Sequence, residues 1–149
     1  MSQAGLIEVY ITFDNNCLEA FHFYAELLGD EITSTMKYSE MPAPEAGGAE
    51  DLPKMSDDLV MHASIKIGNT TLMGSDNPYG DTTFGDSICL TWSHASPDEV
   101  NRVWDGFVQA GSEITMPIEE SFFSPLFGQV KDPYGVHWQI MVWDDSANY

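Results

Sequence analysis

Apolar and polar residues alternate along residues 6–13, and the pattern then changes to a helical spacing. Positions 7, 9, 11 and 13 are apolar, while Glu8, Tyr10 and Thr12 lie between them. Strict alternation predicts a strand with one buried face. A helix that ends at Gly29 is predicted next, because apolar residues recur every three or four positions at Leu18, Phe21, Ala25 and Leu28.

The helix pattern and the strand after it occur twice in the chain. Residues 18–33 and 98–115 each read as an amphipathic helix, a glycine and a strand that begins Glu-Ile-Thr. Each copy is preceded by a strand and followed by a hairpin, with turns at residues 68–69 and 132–135. The repeat predicts two copies of one supersecondary unit, whose curved sheets, side by side, would leave a concave site between them.

Capping residues predict where both helices begin. Asn16 is followed three positions later by Glu19, and Ser96 is followed by Glu99, with Pro97 in the first turn. Both patterns are typical of a capping box, in which the first side chain accepts a hydrogen bond from the backbone of the third helical residue.

Further strands are predicted from alternation and from turn residues, with one long loop between them. Residues 40–58, rich in Pro, Gly and acids, have no period, so this segment is either a lid over the site or a plain flexible insertion. The predicted strands cover 30–38, 59–68, 70–76, 87–94, 112–117, 129–132 and 136–143, with an aromatic segment at 118–128.

Composition excludes several classes of partner. The chain has 149 residues, 43% of them hydrophobic, with 24 acidic residues against five Lys and Arg. So few cations disfavour nucleic acids, anionic membranes and phosphate-rich substrates. No long apolar run and no signal peptide is visible, so we expect a soluble cytoplasmic protein. Cys17 and Cys89 are expected to be reduced, partly buried thiols.

The strand alternation also predicts which side chains face the concave site. If the helices cover the apolar alternants, the opposite positions line the cavity, and counting from the turn at 68–69 places Ser64 opposite Met73 and His62 opposite Ser75.

Ile88, Leu90 and Trp92 are assigned to the core. Phe122, Phe123 and Phe127 suggest an aromatic wall, and Trp138 reads as core. The cavity set suits a small, partly apolar ligand: Glu8, Tyr10, Thr12, His62, Ser64, Lys66, Met73, Ser87, Cys89, Thr91, His137, Gln139 and Met141.

The chain resembles the vicinal oxygen chelate superfamily of glyoxalase, bleomycin resistance and dioxygenase proteins, and within it the PhnB-like branch. The resemblance rests on residues 13–24, Leu28-Gly29, and the segments VMHASIKIGNTTLMGSD at 60–76 and FGQVKDPYGVHWQI at 127–140. It implies an α+β fold of tandem βαβββ modules forming an open, curved mixed-sheet cup. Residues 1–149 would form a single glyoxalase-like domain with modules at 5–77 and 86–144, and the protein would be a homodimer.

The resemblance also implies positions for a divalent metal. Superfamily enzymes hold it with one residue from each of four strand positions, and these fall on Glu8, Met73, Ser87 and Gln139. Only Glu8 and Gln139 are ordinary ligands, because methionine is soft and serine is weak. A site for Zn, Mn, Fe, Ni or Mg would need His62 or His137 as well; Glu8, His62 and Gln139 are the candidate ligands.

Three functions therefore stay open, of which the third is a sequestering or structural dimer with no chemistry. The first is a PhnB-like protein of uncharacterised activity that binds a small molecule, with Glu8 as a candidate general base if it is catalytic. The second is a metal-dependent lyase, isomerase or dioxygenase. A thiol and base pair of Cys89 with His62 or His137 is a weaker alternative. Members of the branch are also described as demethylubiquinone methyltransferases, yet no glycine-rich strand-to-helix turn for a nucleotide-like methyl donor is visible.

Overall fold

The computed structural model describes residues 5–29, 31–40 and 58–143, and they divide into two compact units. The first unit is Met1–Thr82 and the second is Thr83–Tyr149. Most of the loop predicted at 40–58 lies outside the described residues, so its proposed role as a lid stays a prediction. No helix in the described ranges is long and apolar enough to cross a membrane.

The first unit is a βαβββ module. Its four strands form a mixed sheet in the order β1-β4-β3-β2, in which β1 and β4 are parallel and the other pairs are antiparallel. Its elements are β1 (Val9–Phe13), α1 (Cys17–Leu28), β2 (Ile32–Lys37), a short 3-10 turn (Tyr38–Glu40), β3 (Val60–Ile67) and β4 (Thr70–Asp76).

The second unit repeats that topology. Its sheet has the order β5-β8-β7-β6, again with one parallel pair, β5 with β8. The α+β fold of tandem βαβββ modules is therefore confirmed. Its elements are β5 (Leu90–His94), α2 (Pro97–Gln109), β6 (Glu113–Ser121), β7 (Ser124–Lys131) and β8 (His137–Val142).

Each helix covers one face of its own sheet. Most apolar alternants of the strands point towards the helix, as predicted, and with the helix stripe they form the core of the unit. Ile7, predicted on the buried face of the first strand, precedes β1 and is 99% exposed. Trp138, predicted as core, is 4% exposed. The core of the first unit includes Phe13, Phe21, Tyr24, Val60, Ala63, Ile65 and Leu72, and that of the second includes Val100, Val103, Trp104, Phe107, Val130, Trp138 and Ile140.

A glycine in each sheet lets an aromatic ring of the helix approach the backbone. A Cβ atom added at Gly74 would lie 2.8 Å from the carbonyl oxygen of Ile11 and 2.9 Å from the ring of Phe21. A Cβ added at Gly128 would lie 2.6 Å from the ring of Trp104. Real Cβ atoms do not make such contacts, so both positions require the smallest residue.

A buried carboxylate joins three elements of the first unit. Asp76, 2% exposed, ends β4. Its Oδ1 accepts a hydrogen bond from the backbone N–H of Cys17 at 2.9 Å, and its Oδ2 accepts one from the N–H of Val60 at 2.9 Å. The starts of α1 and β3 are thereby tied to the end of β4, because a buried backbone N–H needs an acceptor.

The two helix starts turned out differently from one another. Ser96 caps α2 as predicted, since its Oγ accepts from the N–H of Glu99 at 3.3 Å. The predicted cap of α1 is wrong, because the Asn16 side chain makes no capping hydrogen bond. Asp76 takes that role from a distant strand, a contact that no local pattern reveals.

Three other predictions need correction. The strand predicted at 87–94 begins only at Leu90, and Ile88, assigned to the core, is 78% exposed because it precedes the paired residues. Cys89 is exposed rather than partly buried. The aromatic segment 118–128 is a hairpin in which β6 and β7 meet at a turn of residues 122–123.

Replacing Asp76 by Asn should destabilise the protein by about 2–4 kcal/mol, because an amide accepts one of the two hydrogen bonds and turns a second donor towards a backbone N–H. Urea unfolding measures this change. The matched control is Asp81→Asn, an exposed acid of the same unit, which should shift the midpoint little. Equal effects of the two substitutions would contradict the role given to Asp76.

Candidate functional site

The face of the first sheet that lies opposite α1 carries the predicted cavity residues of this unit. Tyr10 pairs with Met73, and Met73 pairs with Ser64, so the three stand in one row across β1, β4 and β3. The predicted pairing of Ser64 with Met73 is confirmed. We call this surface the hydroxyl face, defined by Tyr10, Ser34, His62, Ser64 and Met73.

An aromatic pair lies beside that row. The ring centroids of Tyr10 and His62 are 6.3 Å apart, with the rings tilted by 36°. Tyr10 is 50% exposed, and His62, half-buried, stands opposite Met36 of β2. These side chains offer a ligand an aromatic and thioether surface rather than a charged one.

A bulge in β2 gathers three hydroxyl groups at one edge of the hydroxyl face. The register shifts between Ile32 and Ser34, so two successive residues of β2 lie beside Ser64. The Oγ atom of Ser64 is 2.9 Å from Thr33 Oγ1 and 2.9 Å from Ser34 Oγ. Thr33 Oγ1 also donates to the carbonyl oxygen of Ser64 at 3.1 Å. We call these three residues the hydroxyl trio.

Tyr38 contributes a phenol near the end of β4. Its hydroxyl donates to the carbonyl oxygen of Asp76 at 3.3 Å. Burial is the first cause that raises the pKa of Tyr38 above its ordinary value, followed by nearby charges, those of Tyr10, Tyr79 and Asp76. The phenol therefore stays protonated at neutral pH.

The equivalent face of the second sheet carries amides. Thr91 pairs with Gln139, and Gln139 pairs with Gln129. Thr91 Oγ1 donates to Gln139 Oε1 at 2.9 Å. We call Thr91, Gln129 and Gln139 the amide face.

Backbone hydrogen bonds show which positions of the two sheets correspond. Asn77 N–H bonds to the carbonyl oxygen of Phe13, and Trp143 N–H bonds to that of His94. Phe13 and His94 are therefore counterparts. Counting back along β1 and β5 makes Tyr10 the counterpart of Thr91, and Glu8 that of Cys89. By this register Cys89, and not Ser87, takes the position that corresponds to Glu8.

The other candidate residues of the second unit do not belong to the amide face. Ser87 and Cys89 are exposed and precede β5. His137 stands opposite Lys131 at the start of β8. Phe123 lies in the β6–β7 turn, with its ring centroid 4.9 Å from that of Phe127 and 5.1 Å from that of Phe122.

Glu8, the candidate general base, precedes β1 and is exposed. Sequence reasoning missed Thr33, Ser34, Tyr38 and Gln129 as polar groups of these faces. The only signal for the first two was the run Thr33-Ser34-Thr35, whose hydroxyls would have alternated in a regular strand. The bulge that turns two of them to one side depends on tertiary pairing.

Comparison with known proteins identifies the family. The sequence model of the family described as 3-demethylubiquinone-9 3-methyltransferase matches residues 6–141. The chain belongs to this family. YjdN of Escherichia coli strain K12 is 31% identical over 137 residues, which cover 89% of this chain and 92% of YjdN. We refer to the family as PhnB-like.

Solved structures agree with this assignment. Protein PA1353 from Pseudomonas aeruginosa has a TM-score of 0.79 and 26% identity, covering 95% of this chain and 100% of its own. A Bacillus cereus protein described as a putative 3-demethylubiquinone-9 3-methyltransferase, PhnB protein, has a TM-score of 0.76 and 26% identity, covering 93% and 100%. More distant glyoxalase-type and fosfomycin resistance proteins share the fold alone.

The residues at the superfamily's metal positions do not form a set suited to a hard divalent ion. With the register correction these positions hold Glu8, Met73, Cys89 and Gln139, which mixes two oxygen ligands with two soft sulfur ligands. Gln139 Oε1 already accepts a hydrogen bond from Thr91. Within residues 5–29, 31–40 and 58–143, no group of three or more His, Cys, Asp and Glu side chains is arranged to hold a metal.

We expect untagged protein, equilibrated with Mn or Mg and then desalted, to retain well under one ion per chain. Elemental analysis measures the content. Glu8→Ala should leave that content unchanged, since one exposed carboxylate holds such ions weakly. If the protein instead retained one metal ion per chain and the Glu8→Ala variant lost it, these residues would form a metal site after all.

The two thiols should differ sharply in reactivity. Burial, and after it the charge of Asp76, raises the pKa of the Cys17 thiol to about 12. The thiolate is the reactive form, so Cys17 should resist an aromatic disulfide reagent at mildly alkaline pH. Cys89 is exposed and should react.

Spectrophotometric titration should therefore count one thiol in the native protein and two after unfolding. Cys89→Ser should remove the native reaction and leave one thiol in denaturant. Rapid native labelling of the Cys89→Ser variant would show that Cys17 is accessible after all.

Proposed function

We propose that this PhnB-like protein binds a small, partly apolar organic molecule on the hydroxyl face. The observation that carries the proposal is the row formed by Tyr10, Met73 and Ser64 with the His62 ring beside it. Such a row offers an aromatic surface and a thioether next to a few fixed polar groups. Binding sites for small molecules have this composition.

The same face argues against an anionic ligand. Its defining side chains are a phenol, an imidazole, two hydroxyls and a thioether, and none of them carries a permanent positive charge. One cation, the exposed Lys66 two residues beyond Ser64, lies on the same side of β3 but outside this set. Phosphate and carboxylate groups are normally held by Arg, Lys or helix N-termini. We therefore expect a neutral or cationic ligand.

The amide face is a second candidate contact surface. Its amides can both donate and accept hydrogen bonds, whereas Met73, the counterpart of Gln139, offers only a weakly accepting thioether. Ser87, Cys89, His137 and Phe123 stay predicted ligand contacts, Glu8 stays the predicted catalytic residue and the homodimer stays a prediction.

Methyl transfer, which the family description names, is not the function that we propose. In the part of the chain that the structure describes, the segments that join a strand to an α-helix are residues 14–16 and 95–96, and neither contains glycine. A glycine-rich turn at such a place is the usual means of binding a nucleotide-like cofactor. Ligand binding needs no such element.

A thermal-shift screen of neutral and cationic aromatic compounds should yield ligands that raise the melting temperature. For a compound found in this way, calorimetry should show that Met73→Ala weakens binding at least about fivefold, since a lost thioether contact with an aromatic ligand costs about 1 kcal/mol or more.

The matched control is Met61→Ala. Met61 is also a half-buried methionine, but it lies on β3 among the alternants that face α1. This substitution should lower stability while leaving the affinity within about twofold, a difference of only a few tenths of a kcal/mol. Equal losses of affinity in both variants, or no ligand in the screen, would refute binding on the hydroxyl face.

A further inference from the structure

The hydrogen bonds of the hydroxyl trio have only one consistent direction. Thr33 must give its proton to the Ser64 carbonyl, because a carbonyl oxygen cannot donate. Ser64 Oγ therefore donates to Thr33 Oγ1, which leaves Ser34 to donate to Ser64 Oγ. All three protons are used within the trio, so its remaining capacity consists of oxygen lone pairs.

Thr33 and Ser34 are both exposed, and Ser34 is the one at the end of this chain of hydrogen bonds. Ser64 is 8% exposed, whereas Ser34 is exposed and accepts no hydrogen bond within the trio. Its oxygen keeps two lone pairs for a ligand. Ser34 is therefore a hydrogen-bond acceptor that has no proton left to offer.

Tyr38 is arranged in the same way. Its hydroxyl proton goes to the carbonyl oxygen of Asp76, so the phenol oxygen also presents lone pairs. The direction of each of these hydroxyls is thus set by a backbone carbonyl. Ser34, at the edge of the hydroxyl face, therefore matches a ligand group that donates a hydrogen bond.

Charge and surface chemistry favour a cationic donor. The chain has 24 acidic residues against five Lys and Arg, which favours the approach of cations. Lys37, in the same strand as Ser34, has its Nζ atom 3.9 Å from Asp58. Lys66, exposed on the same side of β3 as Ser64, is a positive charge that a bound ammonium group must tolerate. Beside the trio, the rings of Tyr10 and His62 and the thioether of Met73 provide the surface that an alkylammonium or benzylammonium group prefers.

We propose that the hydroxyl trio is an ammonium subsite, in which Ser34 accepts a hydrogen bond from the protonated amine of a small organic ligand. The inference rests on the proposed function, since the apolar part of that ligand would lie on the Met73 and His62 part of the hydroxyl face. It names the ligand class: an aromatic or alkyl amine with at least one N–H group.

Four probes of similar size test the subsite: benzylamine, benzyl alcohol, benzoate and benzyltrimethylammonium. Binding is followed by NMR through the methyl signals of Met36 and Met73, with those of Met61 and Met116 as internal references. Benzylamine should bind at least roughly tenfold more tightly than the other three, because a hydrogen bond to a charged donor contributes about 1.5–3 kcal/mol.

Substitutions within the trio separate its members. Ser34→Ala should weaken benzylamine binding roughly tenfold by removing the exposed acceptor. Ser64→Ala should instead reduce the preference for benzylamine over benzyl alcohol, because Ser34 regains a proton to donate. Thr35→Ala is the matched control, since its register partner Ala63 belongs to the face covered by α1, and it should change neither value.

Three outcomes would overturn the ammonium subsite. If benzyltrimethylammonium binds as tightly as benzylamine, charge alone acts and the trio accepts no N–H. If benzyl alcohol binds equally well, the subsite does not select donors by charge, although the hydroxyl face still binds small molecules. If no probe shifts the Met73 methyl signal, the subsite is refuted, while the thermal-shift screen decides the broader proposal on its own.

Discussion

The buried carboxylate of Asp76 fixes the arrangement on which the first unit depends. It accepts hydrogen bonds from the start of α1 and the start of β3 while its own backbone ends β4 beside β1. Without this acceptor two backbone N–H groups would be left without a partner inside the unit, a loss comparable to a large part of a domain's stability. The relative positions of Tyr10, Ser64 and Met73 follow from the strand register that this contact secures, so the chemistry of the hydroxyl face depends on a residue from the opposite face.

Local sequence patterns predicted most of the fold and part of the site. Alternation and the turn at residues 68–69 are short-range signals, and they placed Ser64 opposite Met73 correctly. The cap at Ser96 is local too, and it was also predicted correctly. The residue that caps α1 is 59 positions away from it, and the bulge in β2 depends on pairing with β3. Neither feature can therefore be predicted from the local sequence of one segment. Ile88 was assigned wrongly because alternation continues past the point where pairing begins.

The two sheets share one hydrogen-bond register but have diverged in chemistry. Tyr10, Met73 and Ser64 in the first correspond to Thr91, Gln139 and Gln129 in the second. One row presents a phenol, a thioether and a hydroxyl with its proton already used, and the other presents amides that both donate and accept. Each sheet therefore presents a different set of polar groups on the face opposite its own helix.

The glycines beneath the helices do not occupy corresponding places. In the first sheet the pair facing the helix is Ala63 and Gly74, whereas at the same positions the second sheet has Gly128 and Ile140. The glycine that makes room for the aromatic ring is in the last strand of the first module, β4, but in the strand before the last of the second module, β7. Each helix ring is thus matched to a glycine of its own sheet, and the position left open in one sheet is filled by the β-carbon of Ala63 or Ile140 in the other.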